Sequence, residues 1–351
     1  MKTQIVLCCA IVLALASCKK ENVNDGGITE PRAEVLVLNS GAESDPSASI
    51  SMILSNDDVT LDQFQKANGN PLQHTLSDIQ VQGDFAYALS KEAGKLIIMN
   101  PSTCEQIGEI SGLTAARNLY IKDATTAFVT AGTDVGLIFK LDLTDRSIVG
   151  VASVSGLPNE MIHVDDRLLV SCGRRLMTVQ ATIEVVDINT MMVVESTSVD
   201  RVARGWVKDY AGMLWQLREG YSVSSGSCDG AIPYAARLVS INPMTLETTT
   251  YEIFDPYEQY PTSLSISPDG KTLYFLNDGL RSVDLTTTID DHSVLNVPCA
   301  SYTINHAKGE IWITQTEEDQ GVNKVAQYNL AGQLLQEFNT GVNPTDIVLI
   351  H

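Results

Sequence analysis

The stretch Val186-Asp187-Ile188-Asn189-Thr190 ends a predicted strand in an acidic residue and then turns. The pattern recurs in six clear copies and in a weaker one at Asn56, and the clear copies place the turn residue at Asn100, Asp142, Asp187, Asn242, Asp284 and Asn329. The intervals between these residues are 42, 45, 55, 42 and 45. A period of roughly 40–50 residues built from short strands is typical of a β-propeller.

Each repeat contains two further strand-like segments before this turn, rich in Val, Ile and aromatic residues and bounded by turn residues. The first set reaches seven members only with the last run of the chain, residues 346–349, and the second only with residues 35–38. We therefore predict an all-β fold: a seven-bladed β-propeller whose N- and C-terminal strands close one blade. A ring of six or eight blades and a two-sheet sandwich are the alternatives, and no amphipathic helical pattern competes.

Two local features follow from this assignment. The Asn or Asp oxygen at each turn can accept a hydrogen bond from the backbone two residues further on, which forms an Asx turn. Trp206, Trp215 and Trp312 fall within predicted strands, so we expect them to be buried packing residues.

The N-terminal segment has the form of an export signal. Lys2 precedes an apolar run of 11 residues at 5–15, which is too short to span a bilayer. Leu15-Ala16-Ser17-Cys18 resembles a bacterial lipobox, in which the cysteine is acylated, and an ordinary cleaved signal is the alternative. We predict a lipoprotein signal peptide at 1–17, a lipidated Cys18 with a flexible tether at 18–33, and the propeller domain at 34–351.

The formal charge of the chain is −20. Nucleic-acid phosphates need a basic protein surface, so we expect no nucleic-acid partner. Direct adsorption on anionic lipid is disfavoured for the same reason, and we expect membrane attachment through acyl chains such as palmitate on Cys18. Colloidal solubility is the simplest role of the charge.

The cysteines of the exported chain have no metal-ligand spacing such as Cys-x-x-Cys. Export would permit disulfides. Cys172 and Cys228 fall in predicted loops of neighbouring blades on one face, which makes them a candidate disulfide pair. The alternative is that the four cysteines after Cys18 are buried or free thiols, because a free cysteine packs as a small hydrophobe. These are Cys104, Cys172, Cys228 and Cys299.

The loops that lead into the blades and those between second and third strands converge on one face, where propellers place their functions. The longest are residues 216–236 and 254–262, and a loop of about twenty residues without strand pattern is usually functional or disordered. Arg offers a planar fork and Tyr a flat amphipathic surface, which suit a ligand with flat, polar edges. The candidate ligand-binding residues here are Arg174, Arg175, Arg204, Arg218, Tyr221, Tyr234, Tyr257 and Tyr260. Alternatively, these side chains cover loop backbone and pair with the surplus carboxylates.

Catalytic motifs are missing from the sequence, which has no Gly-x-Ser-x-Gly elbow, no His-Glu-x-x-His helix and no phosphate-binding glycine loop. His74 lies in a loop that leads into a blade, where a single histidine is more often structural than a ligand. The run Glu317-Glu318-Asp319 supplies too few rigid ligands for Ca²⁺ and reads as a solvated loop. We therefore expect no enzyme, no cofactor and no metal site. The rival function is a lactonase-like hydrolase with a metal in the channel mouth.

The chain from residue 35 to residue 350 resembles the YncE-like seven-bladed propellers of the DUF5074 family, which Bacteroidetes carry as surface lipoproteins. The motifs that carry the resemblance are Val37-Leu38-Asn39-Ser40-Gly41, the block at 64–72, Asn100-Pro101-Ser102-Thr103 and Pro344-Thr345-Asp346-Ile347. Asn39, His74 and Arg117 lie at or beside positions where the family pattern is expected, and they join the candidate ligand-binding residues. The chain departs from the pattern at Ser40, Gln73-His74 and Ala116-Arg117.

The resemblance implies a non-enzymatic protein, and the best understood relative looks like a corrinoid-capture protein on an outer-membrane transporter. We therefore expect an outer-membrane lipoprotein of the cell envelope that binds either a small ligand or a TonB-dependent transporter. A corrinoid is the most specific candidate for the small ligand. A pure protein–protein scaffold is the less specific alternative. The tract after Cys18 holds one acidic residue, Glu21, which leaves the cell surface and the periplasmic leaflet both open.

Overall fold

The computed structural model describes residues 31–41, 48–72, 75–133, 135–173, 181–201, 203–218, 220, 235–254, 261–317 and 322–350. These residues form 28 strands and one helix of six residues, which confirms the prediction of an all-β fold. No helix in this part of the chain is long and apolar enough to cross a membrane.

In chain order the elements are β1 Ala33–Asn39, β2 Ser49–Leu54, β3 Val59–Thr60, α1 Gln63–Asn68, β4 Leu76–Gln82, β5 Phe85–Ser90, β6 Lys95–Met99, β7 Gln106–Ser111, β8 Ala116–Ile121, β9 Thr126–Ala131, β10 Gly136–Asp142, β11 Ser147–Val154, β12 Leu157–Val164, β13 Arg167–Gly173, β14 Ala181–Asp187, β15 Met192–Val199, β16 Ala203–Lys208, β17 Leu214–Arg218, β18 Arg237–Ile241, β19 Thr248–Tyr251, β20 Thr262–Ile266, β21 Thr272–Leu276, β22 Leu280–Asp284, β23 Asp291–Leu295, β24 Tyr302–Asn305, β25 Glu310–Glu317, β26 Val322–Asn329, β27 Leu334–Asn339 and β28 Pro344–Leu349.

The strands make seven antiparallel sheets of four, which are the blades of a β-propeller. Blades 2 to 7 run in chain order from the central channel outward, from β4–β7 in blade 2 to β24–β27 in blade 7. The innermost strands β28, β4, β8, β12, β16 and β20 contact one another in succession, and β24 contacts β28. The predicted seven-bladed architecture is confirmed.

Blade 1 is built from both ends of the described chain, in the order β28-β1-β2-β3. β1 pairs with β28 in antiparallel register, with Leu36 opposite Val348 and Val37 opposite Ile347. Beyond the strands, the backbone N–H of Ser40 donates to the carbonyl of Asn343 at 2.9 Å. This pairing confirms the predicted closure of one blade by the terminal strands.

The repeated Asn or Asp forms the same Asx turn in all seven copies. In each, Oδ1 accepts the backbone N–H two residues on, at distances from 2.8 Å at Asp142 to 3.3 Å at Asn56. The other five acceptors are Asn100, Asp187, Asn242, Asp284 and Asn329. The turn joins the third strand of each blade to the outer strand, so the local chemistry of one residue type repeats the blade.

The buried hydrophobic side chains of the described residues group into seven clusters, each at the junction of two neighbouring blades. At the closing junction, Val37 of blade 1 packs with Trp312 and Phe338 of blade 7, whose rings stack at 5.4 Å. Trp206 and Trp215 are also buried, so all three tryptophans are packing residues as predicted.

Several outer strands carry a β-bulge that weakens them as templates for aggregation. In β7, β11, β15 and β27 the register skips one residue, and the skipped side chain is apolar and exposed. These residues are Ile107, Val149, Val194 and Leu335. A bulge disrupts the ladder and twists the strand, so it makes an exposed edge less able to pair with another chain.

Helix α1 lies in the connection between blades 1 and 2 and is an addition to the sequence prediction, because six residues are too few to show a helical period. Its buried Phe64 packs in the core of blades 1 and 2. Gly69 ends the helix with φ of 75°, a left-handed conformation that favours glycine. Asn68 donates through Nδ2 to the carbonyl of Cys104 at 2.9 Å, which fixes the connection to blade 2.

Candidate functional site

The propeller has two unlike faces. The turn face carries the Asx turns and the hairpins between first and second strands. The loop face carries the connections between second and third strands and those from one blade to the next. Because strands are antiparallel, each inner strand enters the channel from the loop face.

The sequence-predicted site residues divide into those that the structure describes and those that it does not. Arg204, Arg218, Asn39, Arg117 and Cys172 are described. The predicted residues that lie outside the described part are Cys18, His74, Arg174, Arg175, Tyr221, Cys228, Tyr234, Tyr257 and Tyr260.

A ring of polar side chains lines the channel near the loop face. The inner strands β28, β4, β8 and β12 each carry a register shift that begins after the first residue of a recurring motif and skips its second residue. A bulge of this kind re-aims a side chain, and bulges are frequent beside functional sites. The residues at or within these bulges are Asp346, Asp78, Asn118 and Glu160.

The two carboxyls of blades 1 and 2 in this ring, Asp346 and Asp78, are half-buried and interact electrostatically. Burial, and then the charge of Asp346, raise the pKa of Asp78 from 3.8 to about 7, although Gln80 donates to Asp78 at 2.9 Å. Burial raises the pKa of Asp346 to about 6, although Ser301 Oγ donates to it at 3.1 Å. Both carboxyls therefore titrate near neutral pH, which is a property of functional sites and of buried networks alike.

Arginines flank the third carboxyl of the ring. Arg117 and Arg204 are positioned one residue before the motif's third position in blades 3 and 5, on either side of Glu160 in blade 4. Asn118 donates to Glu160 at 3.3 Å. Burial raises the pKa of Glu160, and the charge of Arg204 opposes this effect. The channel mouth thus places a carboxyl of blade 4 between arginines of blades 3 and 5.

None of the four ring residues was among the candidates from the sequence. The sequence nevertheless contains a pattern that could have identified them. They occupy the third position of Pro344-Thr345-Asp346, Leu76-Ser77-Asp78, Ala116-Arg117-Asn118 and Pro158-Asn159-Glu160. Aligning the inner strands on this position would have shown a polar residue where an apolar one is expected. Among the described residues, no group of three or more His, Cys, Asp or Glu side chains is placed to hold a metal ion.

A second polar cluster lies on the loop face between blades 4 and 5, centred on Asp200. Its Oδ1 accepts from Arg218 Nη1 at 2.7 Å, and its Oδ2 accepts from Arg237 Nη1 at 2.8 Å. Arg237 also donates through Nη2 to Glu252 at 3.1 Å. Arg201 lies 3.7 Å from Asp200 and donates to the carbonyl of Ala235.

Arg218 departs from its predicted place in a loop, because it is the last residue of β17 and its side chain is only 4 % exposed. The loop assignment of this residue was therefore wrong. The neighbouring strand β18 supplies Arg237 and the turn before β16 supplies Asp200, so Arg218 ends inside a charge network.

Asn39, the last residue of β1, is fully buried. Its Nδ2 donates to Ser51 Oγ at 3.0 Å and to Ser49 Oγ at 3.2 Å, both on the neighbouring strand β2. Ser51 Oγ in turn accepts the backbone N–H of Gly341 at 2.9 Å. The described contacts of Asn39 are thus within the protein and tie the closing loop to blade 1.

Cys172 is a correction to the sequence prediction. It lies inside β13 rather than in a loop and is a buried free thiol, and Cys228, its proposed partner, lies outside the described residues. Burial raises the pKa of its thiol, which makes it a poor nucleophile at neutral pH. Cys104 and Cys299 are free thiols as well, and burial raises the pKa of each to about 12.

Two open grooves flank α1 on the loop face of blades 1 and 2. One of about 380 Å³ lies between the helix and the closing loop, with Leu61, Pro71 and Val342 in its wall. The other, of about 500 Å³, lies on the blade 2 side and is lined by Asn68 and Lys95 among others. Volumes of this size admit small ligands.

One protein-family model matches most of the chain. The model described as "Domain of unknown function (DUF5074)" matches residues 34–340. The match spans the described propeller up to the loop before β28. No curated protein matches the chain in sequence.

Solved structures resemble the fold at low identity. A protein from Lactobacillus plantarum has a TM-score of 0.64 at 12% identity, over 91% of this chain and 100% of that one. A quinonprotein alcohol dehydrogenase-like protein from Bacteroides thetaiotaomicron has a TM-score of 0.63 at 17% identity, over 90% and 78%. Apo AztD from Citrobacter koseri has a TM-score of 0.55 at 11% identity, over 91% and 98%. Such identities show the fold alone.

The raised pKa of Asp78 predicts how stability depends on pH. The folded state binds this proton more tightly than the unfolded chain, so the stabilisation is complete below about pH 4 and is lost as pH rises through about 7. Replacing Asp78 by Asn removes this loss. We expect the stability of Asp78→Asn relative to the unmodified protein to be about 2 kcal/mol higher at pH 8 than at pH 5, with allowance for solvent in the channel.

Thermal unfolding at both pH values measures this difference. Asp84→Asn, an exposed change in a hairpin of the turn face, is the matched control and should show no such difference between pH 5 and pH 8. An equal effect of Asp78→Asn at both pH values would contradict the ionisation assigned to the ring.

Proposed function

The chain belongs to the DUF5074 family, and from this premise we propose that it is a lipid-anchored, non-enzymatic β-propeller of the bacterial cell envelope that binds a small ligand through its loop face. The observation that carries the proposal is the concentration of guanidinium groups there. Arg201, Arg218 and Arg237 gather around Asp200, and Arg204 on β16 is exposed on the same face. The whole chain has a formal charge of −20.

A cationic region on an acidic protein is not needed for solubility, because the net charge already provides it. Arg is suited to flat, polar ligands, since its planar fork pairs with carboxylate, phosphate or amide oxygens and its face stacks on rings. The channel mouth adds carboxyls and amides next to these cations. A ligand with several polar edges, such as a corrinoid, matches this mixed lining.

The lipid anchor supports a role in capture at the membrane. An acylated Cys18 followed by a tether would hold the propeller close to an outer-membrane transporter of the TonB-dependent class, to which the ligand would be passed. In this proposal the loop face binds the ligand, and the acidic remainder of the surface keeps the domain soluble. A scaffold that binds only the transporter is the competing outcome of the binding test.

Reversing the charge of Arg204 tests the binding face, because this residue is exposed at the channel mouth. We expect Arg204→Glu to weaken binding by roughly tenfold or more, which corresponds to about 1.4 kcal/mol. Calorimetric titration with cyanocobalamin first, and then with nucleotides, amino acids and oligosaccharides, measures the affinity.

Lys271→Glu makes the same change of charge in a hairpin of the turn face and should leave the affinity unaltered. Failure of every ligand in the panel to bind the unmodified protein would refute the proposed function. So would equal affinities of the two charge-reversed variants.

Substituting Cys18 tests the anchor. In a bacterial host fed labelled palmitate, we expect the full-length protein to carry the label and to sediment with membranes, because acyl chains supply the attachment. Cys18→Ala should carry no label and should leave the membrane fraction. Label on the Cys18→Ala variant, or an unlabelled soluble parent protein, would show that no lipid is attached at this residue.

A further inference from the structure

Arg218 carries an unused pair of hydrogen-bond donors. Its Nη1 donates to Asp200, whereas its Nε and Nη2 are buried and have no hydrogen-bond partner among the described residues. The side chain as a whole is 4 % exposed. Leaving charged donors unpaired in such a place costs stability, so these two groups point to a binding partner that completes them.

The two unpaired donors lie on one edge of the planar guanidinium group. Nε–H and Nη2–H point in parallel, at the spacing of the two oxygens of a carboxylate or a phosphate. Asp200 holds Nη1 and leaves this edge free, since it approaches from the other side of the group. Asp200 therefore fixes the guanidinium group in place, while Nε–H and Nη2–H stay available for hydrogen bonds.

A second arginine of the same chain has this edge filled. In blade 6, Arg281 donates through Nε at 2.8 Å and through Nη2 at 2.5 Å to one oxygen, Oδ2, of Asp291. Both donors that lack a partner at Arg218 are thus taken by a carboxylate at Arg281. Arg281 serves as an internal reference for an occupied fork.

Asp200 is the carboxylate that holds Arg218 in place. Each oxygen of Asp200 already accepts from an arginine. Burial would raise the pKa of Asp200, but the hydrogen bond and charge of Arg218 keep it below its ordinary value, so Asp200 stays ionised and in place.

The geometry points to Arg218 as the anchor for an oxyanion of the ligand, a carboxylate or a phosphate, which accepts from Nε–H and Nη2–H together. Asp200 is the positioning residue that orients the fork, and Arg237 supports Asp200 from the opposite oxygen. This inference rests on the proposed function and names the chemical class of its ligand. A neutral compound would leave the fork unpaired and would bind at other parts of the loop face.

Thermal unfolding with simple anions tests the anchor. At pH 7 and constant ionic strength, chloride is replaced stepwise by acetate in one arm and by inorganic phosphate in the other. We expect a saturable rise in the melting temperature in at least one arm, and the arm that responds identifies the source of the oxyanion. Arg218→Gln should lose the response. Arg218→Lys, which keeps the charge without the fork, should weaken the apparent affinity by roughly tenfold.

Arg281→Gln is the matched control, because it removes an arginine whose fork is already occupied, and it should keep the response of the unmodified protein. If the Arg218 variants fail to fold, the Nε–H resonance of Arg218 in the unmodified protein provides the readout, and it should shift on titration with the same anions. No response beyond that of chloride, or an equal response in folded Arg218→Gln, would overturn the inference.

The two proposals fail separately. Loss of binding in Arg204→Glu together with no anion response would retain the binding face and reject the Arg218 anchor. An anion response without any ligand from the wider panel would support the anchor and count against the proposed function.

Discussion

The pairing of β28 with β1 is the constraint on which the rest of the structure depends. It joins residues about 300 positions apart in sequence, so it carries a large cost in chain entropy. In return, both strands lose an exposed edge, and the junction of blades 7 and 1 buries Val37, Trp312 and Phe338. The hydrogen bond from Ser40 to the carbonyl of Asn343 extends the pairing into the loop face.

Closure also gives the two faces their different characters. The turn face is regular because every copy of the repeat joins its third strand to the outer strand through an Asx turn. The loop face is free to vary, since its connections need only reach the next strand. Its buried or half-buried charges, at Arg218, Asp200, Asp78 and Asp346, contribute little that a closed propeller needs for stability. Their position on one face of the ring is what a binding face requires.

The sequence predicted what depends on local chemistry, and it failed where distant segments decide. Alternating apolar runs and the Asn or Asp turns revealed the strands, the number of blades and the closure. The charge network of Arg218 depends on other strands of its blade, and the coupling of Asp78 to Asp346 depends on a neighbouring blade, which no local pattern encodes. Cys172 was assigned to a loop because the prediction ended β13 too early. Helix α1 is shorter than the window in which a helical period is visible.

Native-state hydrogen exchange of the terminal strands tests the central claim, that the ends of the chain close one sheet and so fix the loop face. If the blade is closed, the amides of Leu36 on β1 and of Val348 on β28, which lie opposite each other, exchange as slowly as those in the central strands of other blades, and they lose protection together. Fast exchange of β28 that is independent of β1 would contradict the closed ring, and the face assigned to recognition would have no fixed geometry.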